Sequence, residues 1–352
     1  MGSGLAARRS KLVHWIIGTA TLFALTLGGV AAADHQAGHD SGKDTRSYYV
    51  ASSRTTQNMQ DLGCTVGSAG RNGIMTLFYG APTESGGVKG VTRFQSGGFT
   101  PMTGNVSVSN LTKYFMIGYN QCAPAGKFMY VGVATSNCSL GGGGSGCTGS
   151  KTTAWTTAHG TEWANMVNGI GSWISANGYQ FKVAVRGAYD AEPSWSSFSK
   201  SESWLHGYDS ANTYALLANY SADGCTTTWY PSSFTPGTNF TCSNGWTANN
   251  LWHHSWSHGF LLVMPQIYST ASGNARQWLR ISEYGYHTQS NKIVFQGPLT
   301  QNGACADVGC TPGTNNTAAQ AWTQLRTEMD KHVHVSQINI LYTTDVRWEF
   351  LN

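Results

Sequence analysis

Apolar positions along this chain recur in two rhythms that take turns. Short runs of mainly apolar residues at 74–79, 115–119, 128–134, 181–186, 215–220, 261–267, 293–296 and 338–342 predict eight β-strands. Between the later runs, residues 161–176, 198–212, 274–284 and 318–332 bring an apolar side chain round about every 3.6 positions, as amphipathic helices do. Trp163, Val167, Ile170, Trp173 and Ile174 form one such stripe. Strands alternating with helices predict a parallel sheet with helices outside it, and eight strands predict closure. The expected fold is therefore α/β, a (β/α)8 TIM-type barrel. Its first third is expected to be irregular, because residues 82–113 lack a helical period and only turn-forming C-A-P-A-G-K separates the second and third runs.

The ends of the pattern set the domain organisation. Arg8, Arg9 and Lys11 precede an apolar run from Leu12 to Val30, and Ala31-Ala32-Ala33 suits a small-residue cleavage site. Residues 1–33 read as a secretory signal peptide, which implies a secreted, extracellular protein with no stable membrane insertion after cleavage. The long apolar run makes an uncleaved transmembrane anchor the competing reading, against which the Thr and Gly within the run and the Ala triplet favour cleavage. Residues 34–70 read as an extended lead-in and 71–352 as a single barrel domain with no Pro-rich linker and no internal repeat.

Composition narrows the partners. Cleavage removes three cations from a formal charge of +4, leaving the mature chain near +1. No basic footprint for nucleic acid remains. Charged residues make up only 11%, and Gly, Ser, Thr and Asn abound alongside Trp, a profile that suits an extracellular carbohydrate-active or adhesive protein without choosing between them. All 8 Cys follow the signal, an even number that favours disulfides in an oxidising compartment. Pairing nearest neighbours gives Cys64–Cys122, Cys138–Cys147, Cys225–Cys242 and Cys305–Cys310, one of about 105 connectivities.

The chemistry concentrates where the fourth run ends, in F-K-V-A-V-R-G-A-Y-D-A-E-P-S-W. Asp190 and Glu192 stand two apart at the end of a strand, before Pro193. In extended chain such residues point the same way, with Cα atoms roughly 6.5–7 Å apart. Both acids would face one cavity and perturb each other's proton affinity, which is how one carboxyl becomes a donor while another stays charged. In a (β/α)8 barrel the C-terminal strand ends carry the chemistry. Asp345 in T-T-D-V-R-W is the third candidate acid. Tyr79, Tyr119, Tyr220, Asp223, Gln266 and Tyr268 fall near other strand ends and suit sugar hydroxyls, and Trp195 offers a stacking face.

On Y-D-A-E-P and T-D-V-R-W the chain resembles the glycoside-hydrolase-like barrels related to the family 25 lysozymes, over about residues 70–350. The resemblance implies Glu192 as proton donor to a glycosidic oxygen, Asp190 as its electrostatic partner, Asp345 as the acid of the closing strand, and a polysaccharide or peptidoglycan-type glycan as substrate. It implies no cofactor. Those lysozymes carry an Asp at the end of the first strand, where this chain reads L-F-Y-G-A-P. A catalytically decayed, carbohydrate-binding surface protein on the same barrel is thus the alternative.

Other motifs are weighed against that reading. G-G-G-G-S-G at 141–146 lacks the Lys-Ser/Thr of a phosphate-binding loop. No G-x-S-x-G elbow occurs, which leaves a serine hydrolase without its nucleophile signature. His253, His254 and His258 in W-H-H-S-W-S-H have spacing that can ligate a metal, so a zinc-dependent hydrolase is a second alternative, although no H-E-x-x-H glutamate accompanies them. The leading expectation assigns no metal.

Overall fold

The computed structural model describes residues 43–95, 98–138, 156–227 and 235–349, so the signal-peptide expectation and the Gly-rich stretch at 141–146 lie outside the described residues. In chain order the elements are β1 (Lys43–Tyr49), α1 (Thr56–Ser68), β2 (Gly73–Phe78), β3 (Gly80–Ser85), β4 (Val88–Gln95), β5 (Gly98–Gly104), α2 (Asn105–Cys122), β6 (Met129–Ser136) and α3 (Thr157–Ala176). They continue with β7 (Val183–Ala191), α4 (Phe198–Ala211), β8 (Leu216–Tyr220), α5 (Ala248–Trp252), β9 (Leu261–Pro265), α6 (Gly273–Gln289), β10 (Leu299–Thr300), α7 (Asn302–Val308), α8 (Ala318–Asp330) and β11 (Tyr342–Trp348).

Eight of these strands form one parallel sheet in the order β10-β11-β1-β2-β6-β7-β8-β9. Its two edges nearly meet. Parallel bridges join Val263 to Phe295 and Gln266 to Leu299, and Ile267 N donates to Leu299 O at 3.0 Å. The sheet is thus barrel-like and almost closed. Side chains alternate across it with period two. One set, including Ile74, Phe78, Ala134, Ala188, Leu217, Met264 and Val346, packs in the interior. The other, including Leu77, Val131, Val133, Val185, Leu216 and Val263, packs under the helices. The interior is tight at Gly132: a Cβ there would stand 2.9 Å from Leu217 Cδ1 and 3.0 Å from Ala188 Cβ. Side chains from non-adjacent strands meet at that point.

Four sequence expectations change, the first being the run at 293–296, which forms only the bridge from Phe295 to Val263, with the short β10 (Leu299–Thr300) after it. The lead-in is not extended throughout, because β1 and α1 occupy residues 43–68 and supply the first strand and helix. Strand β1 escapes a hydrophobic search because its interior face is polar: Ser47 Oγ lies 2.7 Å from Thr344 Oγ1 across the barrel floor, and Thr45 bonds Ile74 O. The predicted strand at 115–119 is the second half of α2, whose buried Val108, Leu111, Thr112, Phe115, Met116 and Tyr119 follow helical spacing. Helix α1 and helix α2 cross closely through Gly63 and Gly118, and Cys64–Cys122 links them. The run at 338–342 precedes the last strand, which is Y-T-T-D-V-R-W itself.

The irregularity expected in the first third is a three-stranded antiparallel insertion, β3-β4-β5, between β2 and α2. Gly86 and Gly87, at φ 56° and 80°, make its first turn, a backbone that side chains with a Cβ resist. Cys225–Cys242 and Cys305–Cys310 are bonded as expected, and the fourth expected pair involves Cys147, outside the described residues. Among the described residues no helix is long and apolar enough to cross a membrane.

Candidate functional site

Strand β7 is the longest of the parallel set, and its length carries Asp190 to the rim of the barrel. Its register pairs Ser136, Asp190 and Asn219 side by side on β6, β7 and β8. Asp190 shares its parity with Ala184 and Ala188, so it belongs to the interior set, at 5% exposure. Glu192 continues the same face. Asn137 fixes it: Asn137 Nδ2 donates to Glu192 O and Asn137 Oδ1 accepts from Glu192 N, both at 2.9 Å. A side-chain amide thereby extends the β6–β7 ladder one rung past the last paired residues, holding Glu192 where a loop would let it swing.

A third acid joins from β8. Asp223 accepts from Ser221 Oγ at 2.6 Å and from Ser194 Oγ at 2.7 Å, one hydroxyl on each carboxyl oxygen. From β9, Gln266 Nε2 donates to Asp190 Oδ1 at 2.8 Å. Three carboxyls from adjoining strand ends share one small space, and their proton affinities reflect it. Burial, then the charge of Asp223, pushes Asp190 up to about 7 against the pull of the Gln266 bond. Burial again leads for Glu192, reinforced by Asp190 and Asp223 and by a hydrogen bond with Asp223, and holds its carboxyl well above the usual range. Of the three acids, Glu192 is the one whose proton is held by burial, by both neighbouring carboxyls and by a hydrogen bond to Asp223 together.

Aromatic rings complete the rim. Tyr49 at the end of β1 lies with its ring centroid 4.6 Å from Trp348 and 5.4 Å from Phe78. Tyr268 follows β9. Burial raises both phenols well above their ordinary value, and Asp190 and Glu192 add to the effect, so both remain neutral hydrogen-bond donors beside the acids. Trp195 sits one turn past Glu192, its backbone N donating to Glu192 O at 3.0 Å.

Of the sequence candidates, Asp190, Glu192, Asp223, Gln266 and Tyr268 come together. The others do not. Asp345 has the outward parity of β11: its carboxyl accepts from Thr300 Oγ1 at 2.6 Å and Gly303 N at 2.9 Å, tying the strand to β10 and α7. Tyr79 and Tyr220 are fully buried under the helices, their hydroxyls bonded to Thr112 Oγ1 and His254 O at 2.8 Å each. Tyr119 lies on α2 and bonds Arg71 O at 2.7 Å. Tyr49, Asn137 and Trp348 were not singled out from the sequence. Trp348 ends the T-D-V-R-W motif, and its two-residue spacing from Val346 on a strand was the available signal.

A second polar cluster lies under the helices rather than at the rim. Glu202 on α4 meets His253 and His254, in a π-helical turn that follows α5 (His253–Ser257), and His258, which caps that turn. Burial would raise the Glu202 carboxyl, but the bonds and charges of His254 and His258 outweigh it and hold it below the ordinary carboxylate range. A surface depression of about 390 Å³ between α2 and α3, lined by Asn105, Lys113, Glu162 and Met166, contains neither cluster.

A scan against known protein-family models finds no match, and a search of curated proteins finds no relative.

Proposed function

We propose that this chain is a secreted glycoside-hydrolase-like protein on a (β/α)8 TIM-type barrel, acting on a polysaccharide or peptidoglycan-type glycan. Glu192 is its proton donor, Asp190 the electrostatic partner, and Asp223 the carboxyl hydrogen-bonded to Glu192 in the resting site. The observation that carries this reading is the convergence of Asp190, Glu192 and Asp223 at the C-terminal ends of β7 and β8. Glycosidic cleavage needs one protonated and one ionised carboxyl about an oxocarbenium-like centre, and the raised affinity of Glu192 supplies the first. Tyr49, Tyr268 and Trp348 give a ring-lined rim of the kind pyranose faces favour. Three disulfides among the described residues suit an oxidising compartment.

One observation favours a second reading, a glycan-binding protein without turnover. The first strand of the sheet is β1, and its rim residue is Tyr49, so the acid that the resembling lysozymes place there is again missing. The two readings part in one experiment. Purified protein and Glu192→Gln are incubated with peptidoglycan and a panel of polysaccharides, and new reducing ends are measured. Turnover by wild type that falls at least about a hundredfold in Glu192→Gln supports catalysis. Equal inertness with retained glycan affinity supports binding alone, and absence of both turnover and affinity overturns the glycan assignment.

A further inference from the structure

Glu202 spends its two carboxyl oxygens differently. Oε2 lies 2.8 Å from His254 Nδ1, inside a ring of aromatic side chains that includes Tyr189, Tyr220 and Trp246. His254 Nε2 is buried there without a hydrogen-bond partner, so the one polar contact of this ring is through Nδ1, which orients the carboxylate. Oε1 is shared instead by His253 Nε2 at 3.1 Å, His258 Nε2 at 2.9 Å and His206 Nε2 at 3.5 Å. Three ring nitrogens converging on one oxygen exceed the two in-plane lone pairs that oxygen offers as an acceptor.

The tautomer of His253 sharpens the point. Ser257 Oγ donates to His253 O at 2.7 Å, which uses its only proton. His253 Nδ1, 2.8 Å from that same Oγ, is then the donor in their contact. A neutral His253 with its proton on Nδ1 turns the lone pair of Nε2 toward the lone pairs of Glu202 Oε1. Two acceptors at that distance repel unless a positive charge stands between them. Fixing the far nitrogen of an imidazole by an outer hydrogen bond is also how proteins present the near one to a metal.

We propose that Glu202, His253 and His258 bind one Zn²⁺ ion, through Glu202 Oε1 and the Nε2 atoms of both histidines. The three ligand atoms lie within 4.8 Å of one another. Zinc bonds of about 2.0–2.2 Å in a tetrahedron set neighbouring ligand atoms about 3.3 Å apart, close to the observed oxygen–nitrogen separations. Two histidines and a carboxylate leave one corner for water, and His206, more than half exposed, stands at the opening. His254 serves as the positioning residue for Glu202 and is not a ligand, which revises the trio expected from W-H-H-S-W-S-H. The ion ties α4, which follows β7, to the turn between β8 and β9. It lies behind the rim acids and takes no part in the glycan chemistry proposed above.

The test uses the purified chain stripped with chelator and titrated with Zn²⁺ alone. One equivalent per chain, retained through desalting and measured by elemental analysis, is expected, with a melting temperature that climbs by several degrees as Zn²⁺ is raised. His253→Ala and His258→Ala should each weaken binding at least about tenfold. Glu192→Gln should bind as wild type does, which separates this site from the rim. His253 is partly exposed, so His253→Ala reports even if the more buried variants fail to fold. If wild type retains no Zn²⁺ at micromolar concentration, the charge between His253 and Glu202 is a proton and the proposal is wrong. Binding that survives intact in His253→Ala also overturns it.

Discussion

Asn137 holds Glu192 by both of its backbone polar groups, N and O, at 2.9 Å each, through a single side-chain amide. The same Nδ2 also lies 3.2 Å from Ser201 Oγ at the start of α4, so the clamp joins the end of β6, the residue past β7 and the next helix. Asn137→Ala removes a donor and an acceptor together and leaves the Glu192 backbone pair to water. Its cost to folding should be about 1–3 kcal/mol by denaturant unfolding. Under the proposed function its turnover on a responsive glycan should fall more than that destabilisation explains, with kcat dropping further than KM rises, because the donor carboxyl loses its bearing. A variant with wild-type kcat would reduce Asn137 to a structural role.

Asp345 offers a direct contrast between resemblance and geometry. Its carboxyl bonds Thr300 and the backbone of Gly303, and it faces out of the barrel. Asp345→Asn should therefore leave turnover and glycan affinity within about twofold of wild type while lowering stability by about 1–2 kcal/mol. Loss of activity comparable to that of Glu192→Gln, in a variant still folded by circular dichroism, would return Asp345 to the catalytic set.

How much of this was legible beforehand depends on which face of each strand is apolar. Strands β2, β6, β8 and β9 were found because they are apolar on both sides, as strands buried between a barrel interior and helices are. Strand β1 was missed because Thr45 and Ser47 satisfy one another's neighbours inside the barrel instead of contributing hydrophobicity. The hairpin turn at Gly86-Gly87 between T-E-S and V-K-G was readable as a turn signal but not which sheet it served. In the site, the two-residue spacing of Asp190 and Glu192 gave their shared direction, whereas Asp223 and Gln266 reach them only through the β7–β8–β9 register. For Asp345 the same parity rule, applied from Trp348 backwards, places the acid outside. Spacing within a strand was available there, and which parity faces inward was not. Glu202 stands 51 residues from its histidine partner His253 and no local motif connects them.

The crossing of α1 and α2 depends on two glycines in contact with the other helix's backbone. A Cβ at Gly118 would fall 1.9 Å from Gln60 O, and one at Gly63 would fall 2.0 Å from Phe115 O. Both obstacles are backbone, so the helices must separate to admit a methyl group. Gly118→Ala should cost more than the usual overpacking penalty of about 1–3 kcal/mol, and Gly118→Val more again. The Cys64–Cys122 bond spans 58 residues across the same crossing. Replacing both cysteines by serine should lower stability by about 2–4 kcal/mol, by freeing the unfolded chain. If either change leaves the unfolding midpoint where it was, the two helices do not pack as closely as described.

Asp190 makes the protein's stability depend on pH in a direction opposite to that of an ordinary ion-paired aspartate. Burial, with Asp223 next, raises its folded pKa to about 7 from an ordinary 3.8. Between those values the unfolded chain has released the proton and the folded chain retains it. The folded state therefore binds more protons, and stability falls as pH rises across that window, levelling off above it. Each unit is about 1.4 kcal/mol, so the loss amounts to a few kcal/mol. Asp190→Asn keeps the acceptor for Gln266 Nε2 and removes the buried charge. Melting curves of wild type and Asp190→Asn should nearly coincide at about pH 4 and separate steadily towards pH 8, with the variant more stable by several degrees. A gap that stays constant with pH would mean that Asp190 is ionised throughout. In that case the rim is wetter than its burial indicates, and the desolvation that leads the rise of Glu192 weakens with it.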